Sequence, residues 1–180
     1  FRHDAHSPQG TLSPFLSHES EAAAETAAVI GDVRIGSESS IWYSAVLRGD
    51  VNHIDIGSRV SIQDGAVVHT TGGEGLEAVI GDDVVVGHNA TIHSARIDSH
   101  CLIGMGSTIL DKAHVGQGSI VAAGALVLGR TEIGPNELWG GVPAKFIKKV
   151  SPEAVARTID QGVAEYVEWT HIFNNERENI

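Results

Sequence analysis

Aliphatic residues return at every sixth position along most of this chain. Ile103, Ile109, Val115, Val121, Val127 and Ile133 hold that spacing strictly, and small residues such as Gly104, Gly116, Ala122 and Gly134 commonly follow them. The same phase runs upstream through Val29, Ile35, Ile41 and Leu47, then Ile56, Ile62 and Val68, then Ile80, Val86 and Ile92. It slips at a short insertion near residues 52–55, a longer one at 70–79, and a one-residue deletion near 95–97. An amphipathic helix needs apolar residues at spacings of three and four, and a half-buried strand alternates. A fixed short period with a few slips is instead the mark of a solenoid. Six residues per strand and turn, three such units per coil, predict a mainly β fold. The form expected over residues 29–150 is a triangular parallel β-helix, its axis filled by aliphatic side chains and its corners turned by small ones.

The two ends break the pattern. Residues 1–28 carry Pro8, Gly10, Pro14 and the run Glu21-Ala22-Ala23-Ala24-Glu25, and read as an irregular arm with a short helix in that run. Phe1 stands where an initiator methionine would, which fits a processed chain, with an organelle-targeting segment removed, or a trimmed one. Residues 151–180 open with Ser151-Pro152, a helix cap followed by proline at the first helical position. Val155, Ile159, Val163, Tyr166, Val167 and Thr170 follow at helical spacing, so residues 152–172 are expected to form a helix packed along the prism.

Composition narrows the function classes. A chain of 180 residues with 42% hydrophobic but only 5% aromatic residues suits one narrow, Val/Ile-filled domain. The net charge of −11 disfavours nucleic acid or an anionic membrane surface as partner. No apolar run reaches the ~20 residues that span a bilayer, so direct membrane insertion is not expected. Cys101 is the single cysteine, which excludes an intrachain disulfide and suits a reducing compartment.

The chemistry lies in the histidines. Val68 and Ile92 are inward positions on the same side of successive coils, so His69 and His93 point outward and stack about 4.8 Å apart. Leu47 occupies the same column one coil earlier, which aligns Arg48 with His69. His88 belongs to the preceding hexad, on a different side of the prism, where one chain cannot easily bring it to the other two. A second chain can, and a threefold ring would repeat the shared site three times. Three imidazoles with an open fourth position are what a catalytic zinc needs. His3, His6, His18, His53, His100, His114 and His171 fall in no such register and read as surface residues.

The segments Arg48-Gly49-Asp50, Gln63-Asp64, Val68-His69, Val86-Gly87-His88-Asn89, Ile92-His93 and Ile103-Gly104-Met105-Gly106 together resemble the gamma-class carbonic anhydrase family. The resemblance covers roughly residues 29–172 and implies a left-handed coil, a hand that the period alone does not give. It implies Zn2+ (Fe2+ or Co2+ in some relatives) held by His69 and His93 of one subunit and His88 of the next, and CO2 and bicarbonate as substrate and product. Gln63 would orient the attacking water or hydroxide. Arg48 and Asp64 would form an ion pair across the subunit boundary, and Asp50 a second acid there. The most active relatives carry an acidic residue where this chain has Val51, and a shuttle glutamate on a long acidic loop, for which residues 70–79 offer only Glu74 and Glu77.

Two other classes stay open. Proteins resembling this family also serve as weakly active or inactive subunits of a trimer, of identical or homologous chains, attached to the respiratory NADH dehydrogenase complex of mitochondria. The compartments implied are the mitochondrial matrix, peripheral on the inner membrane, or a bacterial cytoplasm. Hexapeptide acyltransferases share the solenoid, and Trp139-Gly140-Gly141-Val142-Pro143-Ala144-Lys145 resembles the end of the coil in both groups. Acyltransferases, however, need one histidine base rather than three in ligand register.

Overall fold

Three ladders of parallel strands wrap one apolar axis in the computed structural model, which describes residues 22–178. The first face stacks Ser40–Ile41, Ser61–Ile62, Val85–Val86, Leu102–Ile103, Ile120–Val121 and Glu137–Gly140. The second stacks the opening half of Val46–Ile56 with Val67–His69, Thr91–His93, Thr108–Ile109 and Leu126–Val127. The third stacks the closing half of Val46–Ile56 with Ala78–Ile80, Arg96–Ile97, His114–Val115 and Glu132–Ile133. The long strand turns a corner and so belongs to two faces.

Strand register accounts for each slip in the sequence pattern. Partners in adjacent coils lie 21 residues apart between Arg48 and His69 and 24 apart between His69 and His93. The spacing falls to 17 between Thr91 and Thr108 and settles at 18 from Thr108 to Leu126. The extra residues are looped out at corners, so every inward position stays inward. Ile41, Leu47, Ile62, Val68, Ile92, Ile97, Ile103 and Ile109 are all buried in one continuous core. Cys101 sits in that core too, and burial pushes its thiol pKa up to about 12, as befits a small packed side chain rather than a reactive one.

The coil begins earlier than residue 29. Ala22–Ala23 pairs in parallel with Ser40–Ile41, and a turn follows, so the described part of the alanine run is a short strand and a turn rather than a helix. Alanine's helix propensity is overridden by the open edge of the first face. Residues 1–21 of the expected arm lie outside the described residues.

The C-terminal helix lies on the first face. Ser151 caps it, its hydroxyl accepting from the Ala154 amide, with Pro152 in the first turn. The segments Pro152–Val155, Ala156–Asp160 and Gln161–Glu178 run on from one another, the middle one as a π-helix. Val155, Ile159 and Val163 recur at intervals of four, which outruns a 3.6-residue turn, and the wider π turn keeps them on one side. Ile159, Val163, Tyr166 and Val167 cover the outward residues Val85, Leu102 and Ile120. At the far end of the solenoid the chain turns back after Pro143. Lys145–Lys149 then closes the first face as an exposed antiparallel edge strand.

Candidate functional site

The seven residues singled out in the sequence fall into two clusters, one at each edge of the second face. Gln63, Asp64 and His88 gather at the corner where the chain enters this face. The His88 ring Nδ1 lies 2.9 Å from Asp64 Oδ2, and its backbone N–H donates to Gln63 Oε1 at 3.1 Å. Gln63 is buried, 4% exposed, and fastened to the backbone that carries His88. Gly87 makes this corner possible, because a Cβ there would meet the Met105 amide nitrogen at 2.7 Å. His88 thus stands at the corner itself rather than on the adjacent side.

The second cluster holds Arg48, Asp50, His69 and His93 at the exit edge. Arg48, His69 and His93 stack in register on successive coils. His69 Nδ1 and His93 Nε2 face each other at 3.2 Å, and an Arg48 Nη2–H lies 3.4 Å from the same His69 nitrogen. Within the chain Arg48 pairs with Asp50 at 2.7 Å, not with Asp64. That hydrogen bond, foremost, holds the Asp50 carboxyl below the usual carboxylate range. A further acid, Asp111, places Oδ1 2.5 Å from His93 Nδ1. The sequence reading misses it, although a partner 18 residues on, one coil away, was the signal available.

The two clusters do not meet within a chain. His88 and His93 occupy opposite ends of one strand unit, on the order of 15 Å apart by strand rise. Among the described residues no group of three or more histidine, cysteine or acidic side chains could hold a metal ion together. Glu77 lines a cleft with Arg96, Lys112 and His114 toward the third face, and Glu74 is exposed on the inserted loop.

The exit edge fits a cation on its own terms. Asp111 can only accept, so the neutral His93 ring carries its proton on Nδ1 and turns an Nε2 lone pair toward His69. If His69 is protonated on Nε2, two lone pairs face at 3.2 Å. If it is protonated on Nδ1, that N–H meets the Arg48 donor and the His69 Nε2 lone pair faces Asp50 Oδ1 at 3.4 Å. Each neutral tautomer leaves a conflict, and His69 Nε2 is buried without a hydrogen bond, with Asp50 Oδ1 3.4 Å away. A cation shared by the two lone pairs removes the first conflict. Adjacent imidazoles on a tetrahedral zinc have nitrogens about 3.3 Å apart, given Zn–N bonds of about 2.0–2.1 Å, which matches the observed gap.

Comparisons with known proteins place the chain. Residues 77–111 match the family model described as "Bacterial transferase hexapeptide (six repeats)". The chain is 45% identical to gamma carbonic anhydrase 2, mitochondrial, of Arabidopsis thaliana over 85% of its length, and spans 56% of that relative. It is 39% identical to a carbonic anhydrase of Geobacillus kaustophilus, covering 89% of this chain and 83% of the relative. A crystal structure of a hexapeptide transferase family protein from Anaplasma phagocytophilum superposes with a TM-score of 0.74 at 36% identity, covering 84% of this chain and 91% of that one. A parallel β-solenoid closed by a C-terminal helix, the two histidine-bearing edges and these identities together make the chain a member of the gamma carbonic anhydrase family.

Proposed function

We propose that this chain is a reversible CO2 hydratase whose site is completed between copies in a ring of three. The observation that carries this reading is the division of the site residues between two edges of one face. Such halves complete each other when the corner of one copy meets the exit edge of the next, a heterologous contact that closes on itself in a ring. His69 and His93 of one copy and His88 of its neighbour would then hold Zn2+, with Fe2+ or Co2+ as alternatives. A cation held there would supply Lewis acidity, making water nucleophilic near neutral pH, where its pKa would fall to about 7.

The remaining roles belong to the chain itself. Asp64 accepts the Nδ1–H of His88 and leaves its other nitrogen free to ligate. Gln63 spends its carbonyl oxygen on the His88 backbone, so its amide N–H groups are what remain to orient a nucleophile. Arg48 places positive charge beside His69, where a bicarbonate product would be drawn. Asp50 keeps that guanidinium in place. The test is stopped-flow CO2 hydration by the zinc-loaded protein beside His88→Ala. Metal-dependent hydration that vanishes in the variant supports the enzyme and the shared site together. Bound metal and an intact ring without hydration would overturn the enzymatic reading.

That last outcome would favour a structural role. In this second reading the same ring serves as a subunit of a respiratory membrane complex; the 45% identity to a mitochondrial gamma carbonic anhydrase bears on the compartment alone. Co-sedimentation with membranes from native extracts separates the two. Acyl transfer is the weaker alternative, since it does not use the paired lone-pair geometry of His69 and His93.

A further inference from the structure

We propose that Asp111 is the positioning residue for His93, fixing both its tautomer and its aim. This rests on the reading of His93 as a metal ligand. Asp111 reaches back from the coil above, and its Oδ1 lies 2.5 Å from His93 Nδ1. A carboxylate in that place accepts the Nδ1 proton, so Nε2 is left as the lone pair that faces His69. Ligating imidazoles held by an acid on their other nitrogen are better bases and lose less freedom on binding.

Asp111 is itself held from the other side. Its Oδ2 lies 3.5 Å from the Thr71 hydroxyl, a weak donor contact. Thr71 in turn is fixed by its backbone N–H, which donates to Ser94 Oγ at 2.7 Å. Ser94 directly follows His93, so acid, threonine and ligand close a short circuit at the foot of the inserted loop. The loop that departs from the six-residue pattern therefore braces a ligand rather than decorating a corner. Leu76 of the same loop lines the cleft beside Asp111, with Lys112 and Arg130.

Two readouts test this on the intact chain. Nitrogen-15 imidazole spectra of the metal-free protein report the His93 tautomer directly. The wild type should show Nδ1–H, and Asp111→Ala should shift toward the Nε2–H form that free histidine favours. Zinc affinity, measured by competition with a chromogenic chelator, should fall about 10- to 100-fold in Asp111→Ala. Asp111→Asn keeps an acceptor oxygen in the same place and should lose less, which also serves if the alanine variant folds poorly. An unchanged tautomer together with unchanged zinc affinity in both variants would overturn the role of Asp111. If wild type and His93→Ala bind zinc equally poorly, the ligand reading fails instead, and the tautomer alone then decides whether Asp111 positions the ring.

Discussion

Arg59 grips Asp83 with two hydrogen bonds, 2.6 Å from Nε and 2.8 Å from Nη2, across adjacent coils at the corner between the third and first faces. His100 extends the contact, with Nε2 3.8 Å from Asp83 and Nδ1 3.3 Å from Asp160 on the C-terminal helix. The Arg59 hydrogen bond is the main cause holding the Asp83 carboxyl below its ordinary pKa of 3.8, against the opposing effect of burial. A depressed folded pKa adds stability above the unfolded value and loses it as pH falls through the folded one. Asp83→Asn should therefore cost about 1 kcal/mol near neutrality, the upper end for a partly exposed pair. Urea melts of the two proteins should converge in acid, and a constant gap down to about pH 2 would refute the assignment.

His114 predicts the opposite slope. Its Nε2 lies 2.9 Å from Asp98 and its Nδ1 3.0 Å from Glu132, so both ring nitrogens have an acid to donate to. Burial lowers its pKa, but the two carboxylates outweigh it, and the net shift is upward from 6.5. Its contribution is complete below that ordinary value and fades as pH rises through the higher folded one. His114→Gln should be less stable than wild type at about pH 6 and nearly equal to it at about pH 9. An equal deficit at both would show that packing, not charge, holds the residue.

Ile159 is fully buried at the helix–face contact, in one cluster with Val85 and Val163. Its replacement by alanine should cost about 2–4 kcal/mol, the usual range for a large aliphatic side chain lost from a packed site. The loss should concentrate in the helix, which would become cleavable near residues 152–160 while the solenoid resists. Uniform proteolysis of both would mean that the helix and the coils unfold as one unit.

Mixing variants tests the divided site directly. His88→Ala and His93→Ala should each abolish hydration in a ring of identical copies. Refolded together in equal amounts, they should recover about one quarter of the wild-type sites, since a random half of the corners and a random half of the edges stay intact. A mixture as inactive as its components would place all ligands of a site within one chain.

Much of this arrangement is legible in the chain, for a physical reason. In a solenoid each inward position repeats, so Leu47, Val68 and Ile92 declare a column by their spacing alone, and His69 and His93 inherit their alignment from it. The Ser151 cap and the helical set from Val155 to Thr170 are equally plain. What escapes is whatever the repeat does not carry. Ala22–Ala23 has no aliphatic signal and is strand only because an edge awaits it. The π turn answers a packing demand that arises only once helix and face are together. Gln63 opens one corner turn and His88 lies in another, where a register counted from inward positions gives the coil but not the direction of the side chain.

Lys145–Lys149 runs against its neighbour, leaving an edge crowded with ammonium groups at the end of a stack of otherwise parallel strands. An open parallel edge would template another copy, and then another, into a fibre. Lys145–Lys149 opposes that growth at this end of the first face, where an incoming strand would meet reversed polarity and a row of positive charge instead of a parallel template.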